Sequence, residues 1–448
     1  MNIKNILSGA MFMEKSKIVI FTGAGFSAPA QLPIQSKILD EMTTVPEKSI
    51  MSIVPEQESE KFLLAFIRVV RYLLQAYAVG DYAYLSNKLR ELERSHLKGR
   101  IITELSNDLL KNLLDFDDAY HLVKSELSKH SLSEDVYYRE LTLLKEITRK
   151  ALEESRLKVS LEDVFTVFDK SMQMRDQQMQ LSYVEMDHIH HSLVRLFAYY
   201  FGIKEFSFCS DHAYRYDKVI DFANNQENSV SVVSTNWDTL LEQYLKTKSI
   251  KYDLCLNDCY YRFDDSRKNI RKGKNGLKLM KLHGSINWFR CLNCGSILIL
   301  ENEPYTTYLL KDEEEQCSIC KQVGINGSML LRPEIITPSM IKSIDSQVYR
   351  NVWKSASEAL AGADKVIFLG YSLPIADFEL RYLLFKNISE KTLIDVVLYH
   401  NDDPQKITKA NQYLCDLLPE KRYRELFPKN KISFCYDGFQ EYFSNNAQ

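Results

Sequence analysis

The sequence predicts an α/β fold: a parallel β-sheet with helices on both faces, carrying a small four-cysteine zinc module and a large helical insertion. Three observations predict it. Short apolar runs rich in Val and Ile alternate with helix-like stretches, the mark of a parallel sheet covered on both faces. Two C-x-x-C pairs stand about twenty residues apart. Between the first apolar run and the second lie roughly two hundred residues of helical periodicity, nearly free of glycine and proline, which is too much chain for an unstructured loop.

The sheet is read from six runs: "KIVIFTG" (17–23), "SVVSTN" (231–236), "KLMKLHG" (278–284), "KVIFLGYS" (365–372), "LIDVVLYH" (393–400) and "ISFCYDG" (432–438). Most end in Gly, Ser, Asn or His, and in such sheets ligands bind beyond the carboxyl ends of the strands. The helical insertion is read from "EKFLLAFIRVVRYLLQAY", "VYYRELTLLKEITRKALEESRL" and "DHIHHSLVRLFAYYFG". These features divide the chain into a sheet domain (1–40, 220–290 and 325–448), a helical subdomain (41–219) and a zinc-ribbon module (288–325).

Composition sets the bounds. The 448 residues are 45% hydrophobic and 26% charged, with a net charge of −3, which is ordinary for a soluble protein and gives no global attraction to phosphate backbones or anionic membranes. Direct nucleic-acid binding is therefore not expected. The first residues lack a signal-peptide pattern, and the apolar stretch 62–80 is interrupted by Arg68 and Arg71, so it reads as a buried helix of a cytoplasmic protein. Apolar on most faces, that helix must bury them, either over a ligand pocket or in a subunit interface, and self-association is expected.

At the end of the first run, Gly23, Ala24 and Gly25 form a strand-to-helix turn whose small residues let backbone N–H groups approach a pyrophosphate, with the Ser27 hydroxyl as a further donor. A tight turn with no ligand explains the same residues equally well. Ala28 stands where the dinucleotide fingerprint G-x-G-x-x-G has its last glycine, and no lysine is placed as in a P-loop.

Cys291, Cys294, Cys317 and Cys320 form two knuckles of the kind that close a structural zinc site. With sulfur at all four positions the ion keeps no open coordination site, so it should hold the module together rather than catalyse. The other five cysteines, Cys209, Cys255, Cys259, Cys415 and Cys435, read as reduced thiols. His188, His190 and His191 have no carboxylate or thiolate partner at ligand spacing and read as packing or solvated residues, the basic run 267–278 reads as a solvated loop, and the acidic "KDEEE" as an exposed ribbon tip.

Taken in order, "TGAGFSAPAQLP", "STNWD", "KLHGS", the paired cysteines, "LGYSLP" and "YHND" resemble the sirtuin family of NAD-consuming enzymes over roughly 15–40 and 228–440. The resemblance implies a Rossmann-like sheet, NAD as substrate and a structural Zn2+. It implies that Gly23, Ala24, Gly25 and Ser27 hold the pyrophosphate, and that Asn236 and Asp238 face the nicotinamide ribose and carboxamide. His283 would act as general base, and Gly370, Ser372 and Asn401 would hold the adenosine half.

Departures from the family direct the choice of reaction. Where deacylases carry a glycine-isoleucine-proline-aspartate-phenylalanine-arginine run, this chain has "QLPIQS", keeping only Pro33, with Lys37 as a substitute charge; Thr235 replaces the glutamine before Asn236, and bulky Trp237 follows it. After the zinc module, "LRPEIITPSM" replaces the stretch that pairs with an acyl-lysine peptide, and Pro338 lacks the N–H for such pairing. With the helical insertion, these departures resemble the sirtuin-like NADases of bacterial antiphage defence. The expectation is an NAD+ hydrolase activated by oligomerisation or a partner, such as a HerA-type ATPase ring, a short Argonaute or another defence-system or phage protein. An NAD-dependent deacylase and a non-catalytic NAD- or ADP-ribose-binding scaffold are the alternatives.

Overall fold

In a computed structural model the chain is described over residues 15–30, 32, 68, 69, 72, 73, 76, 160–174, 183–208, 214–225, 227–256, 261–263, 276–300, 317–322, 324, 331–340, 346–374, 377–398 and 419–445. The chain enters through β1 (Lys17–Thr22) and, by way of Gly23, α1 (Ala24–Ser27). Two helices of the insertion follow, α2 (Leu161–Met174) and α3 (Tyr183–Phe208), then α4 (Asp217–Asn224), β2 (Ser229–Ser234), α5 (Leu240–Thr247), β3 (Tyr252–Asp253), β4 (Tyr261–Phe263), β5 (Leu277–Lys281), β6 (Gly284–Cys291) and β7 (Ile297–Ile299). The remainder runs α6 (Ser318–Gln322), β8 (Leu331–Ile335), α7 (Gln347–Ala361), β9 (Lys365–Leu369), α8 (Phe378–Asn387), β10 (Leu393–Val397), α9 (Pro419–Leu426), β11 (Ile432–Cys435) and α10 (Gly438–Asn445).

All six expected strands form and lie in one parallel sheet of order β11-β10-β9-β1-β2-β5-β3. The central strands are buried almost without a break: β1 from Ile18 to Thr22 and β9 from Val366 to Leu369 are shielded from water on both faces. Phe21 and Phe368, both fully buried, meet at 5.2 Å across β1 and β9 with their rings tilted, and each such ring contributes roughly 1.5–3 kcal/mol through the apolar surface it removes from water. Helices cover the sheet: α4 packs on β2 and on α10, while α7 packs on β5 and α8. The fold is α/β and Rossmann-like.

The order fixes where a ligand site belongs. From β1 the chain moves outward through β2 to β5, and from β9 it moves outward the opposite way through β10 to β11. The crevice at the carboxyl ends of β1 and β9 is the switch point of the sheet.

A second sheet, β4-β7-β6-β8, carries Cys291 at the end of β6. It draws strands from both sides of the stretch 288–325, because β6 begins immediately after His283 and β8 returns antiparallel beside it. Of the insertion, α2 and α3 pack on each other. Residues 68, 69, 72, 73 and 76 are helical, with Val69, Tyr72 and Leu73 buried, and Tyr72 meets Phe168 edge-on at 5.1 Å and donates to the Val164 carbonyl. Among the described residues no helix is long and apolar enough to cross a membrane.

Candidate active site

The exits of β1, β2 and β5, adjacent in the sheet, bring three of the sequence motifs together. Asn236, just beyond β2, is 6% exposed and donates both Nδ2 hydrogens, to Gly23 O at 3.0 Å and to Ser27 Oγ at 2.9 Å. Since Gly23 O can only accept, the amide orientation is fixed, and Oδ1 is the atom left to accept a hydrogen bond. Ser27 in turn donates to Asp238 Oδ2 at 2.8 Å.

His283 follows β5 and is 5% exposed. Its Nδ1 lies 3.1 Å from the Thr235 carbonyl. A carbonyl only accepts, so Nδ1 carries the hydrogen and Nε2 is the basic nitrogen of the neutral ring. The imidazole also stacks on Trp237 at 5.9 Å. Thr235 and Trp237 flank Asn236, so both contacts tie His283 to that residue's own segment.

Asp238 is oriented into the protein. Oδ2 accepts from Ser27 and Oδ1 from the Leu240 N–H at 3.3 Å. Burial pushes its carboxyl pKa up and the Lys281 ammonium opposes this. It supports Ser27 and, through it, Asn236.

The glycine turn is held by strand exits as well as being available to a ligand. Gly23 N–H donates to Leu369 O at 3.0 Å and Gly25 N–H to Gly370 O at 2.9 Å, so two of the donors expected to face a pyrophosphate are engaged by β9 and the loop after it. Gly370 has φ +60°, and a Cβ there would lie 2.2 Å from the Phe26 nitrogen; a Cβ on Gly25 would lie 2.9 Å from Gly370 Cα. Close approach of the two loops at the switch point is what requires glycine here. Ala24 is exposed and Gly25 half-buried. Phe26 anchors the turn beneath, between Tyr216 and Phe439, each at 5.1 Å. Ser372 is exposed on the loop that carries Gly370. Asn401, Gln31, Pro33 and Lys37 lie outside the described residues.

Three residues around the site were not singled out from sequence. Lys281, 1% exposed, donates to Glu242 Oε1 at 2.7 Å, Ser285 Oγ at 2.7 Å and the Asp238 carbonyl at 2.5 Å. Glu242, its carboxyl pKa raised by burial against the pull of Lys281, completes a buried ion pair. Glu205 reaches in from α3 to Thr239 and Gln243. The available signal was Lys281 itself, a cation at the buried end of a strand run, which needs a buried partner.

The insertion also contacts the site from two directions. Phe197 and Phe201 of α3 pack edge-on against Trp237 at 5.0 and 6.1 Å. From α2, Thr166 accepts from the Met340 N–H at 2.8 Å, and Asp169 accepts from Thr337 at 3.4 Å. His190 stacks on Phe168 at 5.4 Å and approaches Asp169 at 3.8 Å, a packing role; the side chains of His188 and His191 lie outside the described residues.

Cys291, Cys294, Cys317 and Cys320 converge, their sulfurs all within 4.8 Å of one another. Cys291–Cys320 and Cys294–Cys317 are 3.7 and 3.6 Å apart, close to the ~3.8 Å edge of a tetrahedron with Zn–S bonds of about 2.3 Å. Asn293 Nδ2 donates to Cys320 at 3.5 Å and Ser296 Oγ lies 3.3 Å from Cys317, contacts that orient thiolate ligands. The donor set fits a structural zinc. Among the described residues Cys255 and Cys435 are free thiols, and burial pushes Cys255 up to about 12.

No curated protein matches the chain. Among solved structures, a sirtuin from work on substrate affinity is 14% identical over 52% of this chain and 68% of that one, with a TM-score of 0.28. A Sir2 complex with a p53 peptide and NAD+ is likewise 14% identical, covering 52% and 67%, at a TM-score of 0.28. A second sirtuin structure from work on substrate affinity is 12% identical across 97% of this chain and 96% of that one, at a TM-score of 0.33. Residues 230–416 match the family described as SIR2-like domain, a span that holds Asn236, Asp238, His283, the four cysteines and Gly370, and this part of the chain is sirtuin-like.

Proposed function

We propose that the chain is an NAD+ hydrolase that cleaves NAD to ADP-ribose and nicotinamide. The observation that carries the reading is the joint orientation of Asn236 and His283: the amide's two hydrogens are bound to Gly23 and Ser27, and the imidazole's Nδ1 to Thr235, so Oδ1 and Nε2 are the atoms each residue offers to a ligand. In the reaction the C1′–nitrogen bond breaks with its electron pair leaving on neutral nicotinamide, a water oxygen bonds to C1′, and one water proton is released. The positively charged pyridinium needs no acid to leave. Asn236 Oδ1 accepts a hydrogen from the attacking water, and His283 Nε2 takes the proton from that water or from a ribose hydroxyl. The nucleotide would lie over Ala24 and Gly25 with its adenosine end toward Gly370 and Ser372.

Hydrolysis is favoured over deacylation by the loop after β8. Its Ile336 N–H donates to His283 O at 2.8 Å, Ile336 O accepts from Trp237 Nε1 at 2.8 Å, and the Met340 N–H is taken by Thr166. These main-chain groups, in the stretch that in deacylases pairs with an acyl-lysine peptide, are already engaged by the protein, two of them by β5-exit and β2-exit residues and one by the insertion.

The helices that contact Trp237 and the β8 loop also give a partner or a second copy a route to the site, which fits an effector of antiphage defence switched on by assembly. The test is nicotinamide release from NAD, without acylated peptide, in lysates of cells expressing the chain with its genomic neighbours. Release that disappears in Asn236→Ala and His283→Ala supports the reading; release that requires an acyl-lysine substrate assigns deacylation instead.

A further inference from the structure

One peptide bond in the site is held from both sides. The carbonyl of Asp238 accepts from Lys281 Nζ at 2.5 Å, and the next N–H, that of Thr239, donates to Glu205 Oε1 at 2.8 Å. The two groups belong to the same peptide plane. Lys281 lies on β5, two residues before His283, and Glu205 lies on α3 of the insertion.

Both clamping side chains are buried, at 1% and 0% exposure. The same Glu205 oxygen accepts from Thr239 Oγ1 at 2.6 Å and Gln243 Nε2 at 3.0 Å, which fixes the start of α5. All three Lys281 donors are directed, to Asp238 O, Glu242 and Ser285. Apolar replacement of a buried ion pair is often neutral or stabilising, so stability alone does not account for charged groups at this position. Rotation of the 238–239 plane would turn Asp238 away from Ser27, and Ser27 is the acceptor that holds Asn236.

We infer that Lys281 and Glu205 are positioning residues that lock the 238–239 peptide, and with it the Ser27–Asn236 amide, in the orientation needed for NAD cleavage, with Glu205 as the point where the helical insertion controls the site. The inference rests on the NAD-cleaving reading of Asn236 and His283. Glu205 is assisted by Phe197 and Phe201, eight and four residues earlier on the same helix, which press on Trp237 and so on the ring stacked against His283. A shift of α3 would therefore move both halves of the site together.

The test compares Glu205→Ala, Glu205→Gln and Lys281→Met in the full chain, expressed with its genomic neighbours, by kcat and KM for nicotinamide release together with thermal melting. Glu205→Ala and Lys281→Met are expected to lower kcat by about 10- to 100-fold with KM altered by less than about threefold, since a misplaced catalytic group costs turnover more than binding. Glu205→Gln, which retains an acceptor oxygen at the same reach, should recover much of the loss at unchanged melting temperature. If Glu205→Ala does not fold, Glu205→Gln against Glu205→Asp, which withdraws the carboxylate by one methylene, is read in the same way. Wild-type cleavage with kcat unimpaired in the folded variants overturns the clamp and leaves the function standing. A wild type that does not cleave NAD with its genomic neighbours present, or whose cleavage persists in Asn236→Ala and His283→Ala, overturns both.

Discussion

Asn236 and Ser27 are held to each other across the exits of two neighbouring strands: the amide donates to the hydroxyl at 2.9 Å, and the hydroxyl passes its own hydrogen to Asp238 at 2.8 Å. Ser27→Ala removes the middle member and leaves a buried carboxylate oxygen without its donor. The expected cost is about 1–3 kcal/mol in urea denaturation, with nicotinamide release lowered at least about tenfold because the amide is no longer fixed. Unchanged turnover in a stable Ser27→Ala protein would separate this hydroxyl from the reaction.

Gly370→Ala is expected to destabilise the chain by about 2 kcal/mol or more, since the left-handed backbone and a clash with the Phe26 nitrogen act together. The denaturation midpoint measures it. Ser372→Ala, two residues on and exposed, should leave that midpoint unmoved.

These two loops show what the sequence could and could not convey. The six strands were legible because each is a short run rich in apolar residues, most fully buried in β1 and β9, and β1, β2, β5, β9, β10 and β11 form where those runs stand. The two-residue β3 carries no periodicity to read, and in β6, "GSINWFRC", Ser, Asn and Arg interrupt the apolar residues so that no strand run stands out. Asn236, His283 and the four cysteines stood in local motifs. The roles of Lys281, Glu242 and Glu205 depend on contacts across 34 to 43 residues of chain, which spacing cannot show. The glycine turn also does something its spacing does not show: the Gly23 and Gly25 N–H groups each donate to a carbonyl at the β9 exit.

Metal analysis of purified chain is expected to return about one zinc per molecule, since four converging thiolates close a tetrahedral site. Chelation, or Cys291→Ser with Cys320→Ser, should lower the melting temperature sharply, because metal-binding free energy is folding free energy in such modules. β6 runs directly from His283 to Cys291, so activity should fall in parallel with unfolding. Full stability in a zinc-free protein would contradict a structural ion.

Asp169 gives the insertion a pH dependence. Burial pushes its carboxyl from 3.8 to about 6, against hydrogen bonds from Ser339 and Thr337. A raised carboxyl favours the folded state when protonated, so this contribution is complete below its ordinary pKa and is lost as pH rises through about 6. The loss is on the order of 3 kcal/mol and is nearly complete by about pH 7. Asp169→Asn should flatten the stability profile between about pH 4 and 6, measured by urea denaturation at each pH. A variant whose profile still follows the wild type would remove Asp169 as the source.

The most direct test of the central claim is a crystal structure of the chain with a non-hydrolysable carbocyclic NAD analogue. The predicted result places the anomeric carbon between Asn236 Oδ1 and His283 Nε2, with the pyrophosphate over Ala24 and Gly25 and the adenosine toward Gly370. A nucleotide bound elsewhere, or one whose C1′ contacts neither side chain, would contradict it.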